Sequence, residues 1–160
     1  MPRKLSKASE FEEMRDAGIG LASKLVLEHK YDLLEAENRL NKVLALNPNY
    51  PLGLYFLGVV YHDKGEYEKA INMYETALKY FSEKDKKDIA DVYQNLGCSL
   101  WEVRRREDAL EAWKTCLKYN PKQKYARENL KDFTNEYGMG KSPVGMDDFW
   151  AFVDIKRFIL

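Results

Sequence analysis

One pattern constrains the fold of this chain more than any other: a set of small and large apolar residues that returns at fixed spacing. Leu54, Leu57, Gly58 and Tyr61 are followed by Gly65, Ala70, Tyr74 and Ala77. From Gly58 to Gly97, a step of 39 residues, the set recurs as Tyr93, Leu96, Gly97 and Leu100, then Ala109, Trp113, Cys116 and Pro121. Ala36, Leu40, Val43 and Pro48 carry its second half upstream, with Ala36 lying 34 residues before Ala70. A period of this length marks stacked supersecondary units that bury their apolar faces on one another. Spacings of three and four keep each set on one helical face, and nothing alternates with period two over a strand length. The expected fold class is therefore all-α, without a sheet.

These residues resemble the tetratricopeptide repeat family, whose 34-residue pattern runs W-x2-L-G-x2-Y, then A-x3-F, then P. The resemblance implies an α-solenoid of about three helix-turn-helix repeats at 17–50, 51–84 and 90–123, with 1–16 extending the first helix and a closing helix at 124–137. The first repeat departs from the pattern, because Ser23-Lys24 stands where a Leu-Gly pair belongs. A five-residue insertion within Ser82–Asp88 separates repeats two and three, either as a charged loop or as a longer helix start. Local chemistry supplies boundaries. Ser9 and Glu12 form a capping box, Pro51 suits a first helical turn, Gly65 suits the turn within a pair, and Asn120-Pro121 stops a helix. Seven helices are expected before the C-terminal segment.

Composition narrows the function. The 26 basic and 26 acidic residues cancel, which removes the global electrostatic footprint of a nucleic-acid binder or a polybasic membrane-surface protein. No apolar run reaches the length of a membrane span, and the opening residues lack the apolar stretch of a signal peptide, so a soluble cytoplasmic protein is expected. After Tyr137 the character changes. Residues 138–145 hold Gly138, Gly140, Pro143 and Gly145 and read as a flexible joint. Residues 146–160 then form an aromatic segment with Phe149, Trp150, Phe152 and Phe158, nine of the last twelve residues being apolar. Leaving that surface in water is costly. Three roles stand open for it: a cap or fold-back over the array, self-association with a neighbouring molecule, or docking to a partner.

Chemical motifs are weak by contrast. Gly138 to Ser142 ends like a phosphate-cradling loop, but Asn135 replaces its first glycine and Pro143 opposes the helix that should hold the phosphate. Cys98 and Cys116 have no His or basic cluster nearby in sequence to favour a thiolate, and they read as buried, inert thiols. His29 and His62 lack companions at ligand spacing and read as surface or groove residues; no metal or other cofactor is expected. Arg104-Arg105-Arg106 is nearly neutralised by Glu102, Glu107 and Asp108 and reads as a solvated turn. No catalytic residue is assigned.

By the resemblance, the first helix of each repeat lines a concave face where ligands bind. Residues one position away from the packing set should face it: Leu21, Leu25 and Glu28, then Tyr55, Val59 and His62, then Gln94, Cys98 and Trp101. Alanine at each is expected to have little effect on folding if it lies in the groove. Family members that hold acidic chaperone C-termini use Lys, Asn and Arg on these helices. Here the places read Leu21, Leu25, Phe56, Asp91 and Asn95, so a carboxylate-clamp co-chaperone is not expected. The sequence thus implies a non-enzymatic scaffold or adaptor that binds a protein, peptide or helix with apolar anchors. The alternative is a self-assembling module, a homo-oligomer in which the C-terminal segment docks into its own or a neighbouring molecule.

Overall fold

The structure, a computed structural model, describes residues 33–136 together with Ser9 and Glu12, both of which are helical. Expectations for the extension 1–16, the first helix of the first repeat, the joint 138–145 and the segment 146–160 lie outside the described residues.

Six helices follow one another: α1 Leu33–Leu46, α2 Pro51–Asp63, α3 Tyr67–Leu78, α4 Lys86–Glu102, α5 Arg106–Tyr119 and α6 Lys124–Glu136. No strand occurs among the described residues. Each helix packs mainly on its neighbours in sequence, with only a thin contact between α2 and α4, which is the one-dimensional stacking expected of a solenoid.

The repeated residues form the core. Ala36, Leu40 and Val43 on α1, Ala70, Tyr74 and Ala77 on α3, and Ala109, Trp113 and Cys116 on α5 are all buried, one face of each helix at i, i+4 and i+7. α2 differs, since Gly53 to Val60 is buried without interruption. A helix apolar on every side belongs at the centre of an array. Two glycines make the close helix approaches possible. A Cβ on Gly58 would stand 2.6 Å from the ring of Tyr74, and one on Gly97 would stand 2.6 Å from Cδ1 of Trp113.

The turns inside the pairs share one geometry. Glu66 N–H donates to the Tyr61 carbonyl (2.8 Å) and Arg105 N–H to that of Leu100 (2.9 Å), the six-to-one bond that closes a helix over a left-handed residue. That residue is Gly65 at φ 74° in one turn and Arg104 at φ 63° in the other. Arg104 lacks glycine's freedom there, a cost of about 1–2 kcal/mol.

The insertion between repeats is divided between both expected forms. Asp85 Oδ2 accepts from Ser82 N–H (3.0 Å) while the Ser82 carbonyl accepts from Asp85 N–H (2.9 Å), closing a turn. The remaining residues lengthen α4 to 17, against 13 for α2. Downstream, α5 ends at Tyr119, and Asn120 is extended (φ −135°) ahead of Pro121.

Candidate binding site on the wall of first helices

The first helices of successive pairs, α2, α4 and α6, are joined side by side through polar side chains. Asn95 Nδ2 on α4 donates to the Tyr55 hydroxyl on α2 (2.8 Å), and one turn further His62 Nδ1 lies 2.7 Å from Ser99 Oγ. Between α4 and the start of α6, Gln123 Nε2 donates to Asp91 Oδ1 (3.0 Å), Asn129 Nδ2 lies 3.9 Å from Cys98 Sγ, and Trp101 meets Phe133 edge to face at 6.0 Å. Gln94 Nε2 also reaches Cys98 Sγ (3.4 Å), and its carbonyl accepts from the Trp113 indole (3.3 Å), tying this wall to α5 behind it.

These bonds use the donors of the carboxamides and leave their acceptors. Gln94 Oε1, Asn95 Oδ1 and Asn129 Oδ1 are buried and have no hydrogen-bond partner among the described residues. A buried acceptor without a donor costs roughly 1–3 kcal/mol. Three of them on one wall form a surface that calls for N–H or O–H groups from elsewhere.

The wall is otherwise uncharged in character. Burial holds the His62 imidazole down to about 4, so the ring is neutral at physiological pH. Burial also raises the Tyr55 phenol, with Asp91 and Asp88 adding to the effect. The Cys98 thiol is pushed up to about 12 by burial, and the Cys116 thiol likewise to about 12. Both cysteines are buried and outside any disulfide, as the sequence implied. Among the described residues no group of three or more His, Cys, Asp or Glu could hold a metal ion.

Of the expected groove residues, Leu21, Leu25 and Glu28 lie outside the described residues, as do Phe149, Trp150, Phe152 and Phe158 of the C-terminal segment and the loop-like run at Lys141 and Ser142. The structure brings the other six together on one wall, but it corrects two expectations about them. Tyr55, Val59, His62, Gln94 and Cys98 are 0–4% exposed within the single chain, so alanine at these places removes packed side chains. His62, read as a surface or groove residue, is a packed ring against Ser99 and edge to face with Tyr67 at 5.1 Å. Trp101 alone is half-buried, between Trp113 at 5.8 Å, Phe133 and the Arg106 guanidinium 4.7 Å over its ring. Arg105 pairs with Asp108 at 2.7 Å, leaving Arg104 as the strained member of the arginine run.

Asn129 and Ser99 were missed. The signal for Asn129 was present: it follows Asn95 by 34 residues, one basic period, and so takes the same place on the next first helix. Ser99 carried none, because a small residue at a helix contact is ordinary packing.

Residues 50–121 match the tetratricopeptide repeat family model. The chain belongs to the tetratricopeptide repeat family. No curated protein matches its sequence significantly. Among solved structures it is similar to the N-terminal domain of stress-induced protein-1 from C. elegans, at 18% identity and a TM-score of 0.62 over 76% of this chain and 97% of that one. MamA aligns at 17% identity and a TM-score of 0.61, over 88% of this chain and 76% of MamA. An O-GlcNAc transferase mutant from Thermobaculum terrenum aligns at 22% identity and a TM-score of 0.57, and 80% of this chain spans only 22% of that enzyme. At these identities the likeness is one of fold. Among the described residues of this repeat protein, no helix is long and apolar enough to cross a membrane.

Proposed function

We propose that this tetratricopeptide repeat chain is a non-enzymatic protein-binding module that takes an apolar peptide or helix along the wall of α2, α4 and α6. Repeats of this family serve generally as interaction scaffolds, which supports the coarse reading. The observation that carries the finer one is the trio of buried acceptors, Gln94 Oε1, Asn95 Oδ1 and Asn129 Oδ1, beside the aromatic and aliphatic side chains of Tyr55 and Val59. Neutral acceptors next to apolar surface favour a segment that brings N–H donors and apolar side chains, since main-chain bonds give affinity and pockets give specificity. Acidic chaperone tails do not suit it. Asp91 and Phe56 stand at two of the places where a clamp needs cations or amides, and Asn95 is engaged with Tyr55.

A displayed random-peptide library panned on the folded chain tests this reading. The expected consensus is aromatic or aliphatic at spaced positions and uncharged between them. Gln94→Leu and Asn129→Leu, each folded by circular dichroism, should weaken the selected peptides by about tenfold, the equivalent of one lost hydrogen bond of about 1.4 kcal/mol. Selection of acidic peptides, or unchanged affinity in both variants, would refute it.

A further inference from the structure

We propose that residues 146–160 of this chain bind along the α2–α4–α6 wall in cis and compete there with the partner segment. The inference rests on the reading of that wall as a surface for an apolar segment, and it names the resting occupant.

Three observations carry it. The places where a ligand would lie, Tyr55, Val59, Gln94 and Cys98, are already buried within the single chain, while the acceptors Gln94 Oε1, Asn95 Oδ1 and Asn129 Oδ1 take no donor from any described helix. The cover must therefore be apolar, must carry N–H groups and must come from outside residues 33–136. Residues 149–153, Phe-Trp-Ala-Phe-Val, are five uncharged residues in succession with the Trp150 indole N–H among their donors. The opening sixteen residues hold no such run, since charge interrupts them throughout. Charge agrees with this choice: Asp91 is the charged residue buried in the wall, held by Gln123, and no buried Lys or Arg waits for a carboxylate.

Reach agrees as well. α6 enters beside Asp91 through Gln123 and has Phe133 against Trp101 at the far end of α4, so the chain leaves Glu136 next to the wall. Residues 137–148, extended at about 3.3–3.6 Å each, span about 40 Å. α6 itself is about 20 Å long at 1.5 Å per residue, so a return across the wall is within range. A partner segment then meets the wall only after displacing residues 149–153, which lowers its apparent affinity by the fraction of open chain.

Two experiments test the proposal on the protein itself. Benzoylphenylalanine placed at Leu52, half-buried at the start of α2, is photolysed in the full chain at low micromolar concentration. An adduct within one molecule to a peptide from 146–160 is expected. An adduct confined to 1–16, or one found only between two copies, overturns the cis assignment. Second, a chain ending at Gly145 should bind a fluorescein-labelled 146–160 peptide by anisotropy at least tenfold more tightly than the full chain does, and Asn129→Leu in the shortened chain should weaken it severalfold. Equal binding by both chains, or none by a folded shortened chain, overturns the proposal. If the shortened chain does not fold, the photolysis result decides. Failure of the 146–160 peptide while library-selected peptides still depend on Gln94 and Asn129 sinks this inference alone; failure of both removes the binding wall itself.

Discussion

Gly97→Ala tests whether the repeats are held by close helix approach or only by general apolar burial. In an ordinary helix interior this change stabilises, by roughly 0.5–1 kcal/mol, because alanine restricts the unfolded chain. Here the new methyl would press against the indole Nε1 of Trp113 and stand 2.6 Å from Cδ1 and 2.8 Å from Cε2. Trp113 is buried, and its N–H donates to the Gln94 carbonyl, so moving the ring strains the core and loosens that bond. Overpacking costs about 1–3 kcal/mol and a lost neutral hydrogen bond about 0.5–1.5 kcal/mol. After the propensity gain, a net loss of about 2 kcal/mol remains. For an array of this size that lowers Tm by roughly 5–10 °C, measurable by circular dichroism at 222 nm or as a drop in the urea midpoint at constant slope. Trp113→Leu added to Gly97→Ala should cost less than the two singles together, because the smaller side chain leaves room for the methyl. A Gly97→Ala protein as stable as the parent, or more stable, would refute the close-approach argument.

Three further outcomes follow from the same geometry. Arg104→Gly should raise stability by about 1 kcal/mol, since glycine adopts φ near 63° without strain; an unchanged urea midpoint would contradict the strained turn. His62 is neutral when folded and titrates near 4, whereas the unfolded residue protonates near 6.5. Stability from this group is therefore present above about pH 6.5 and falls as pH drops toward 4, by about 2 kcal/mol at pH 5. Glu102, whose carboxyl burial raises, titrates in the opposite sense, so urea midpoints of His62→Gln must be subtracted at each pH; parallel curves for parent and variant would rule the prediction out. Cys98 and Cys116, buried with thiols raised to about 12, should react with a thiol reagent only at the rate of unfolding, and rapid labelling of native protein would show that the packing is wrong.

What the sequence showed depended on whether a residue's role was periodic. Gly58 and Gly97, Tyr74 and Trp113, and Gly65 recur at fixed spacing, and their close approaches and turn follow from size alone. The division of the insertion between a turn and a longer α4 was open, because the same charged residues suit either form until Ser82 and Asp85 pair. The wall was legible as a surface but not as a packed one. A polar residue one step off the packing set looks solvent-facing in sequence, and only the cross-helix pairs Asn95 with Tyr55 and His62 with Ser99 show that such residues are buried. Arg104 in a left-handed turn could be inferred only from its equivalence to Gly65, 39 residues earlier.

The account stands on α2, α4 and α6 forming the face that holds a segment. Hydrogen–deuterium exchange of the chain with and without a library-selected peptide measures this directly. Added protection is expected in peptides covering Pro51–Asp63, Lys86–Glu102 and Lys124–Glu136, with Tyr67–Leu78 and Arg106–Tyr119 unchanged. Protection concentrated in the latter two helices would place binding on the opposite face and contradict the account.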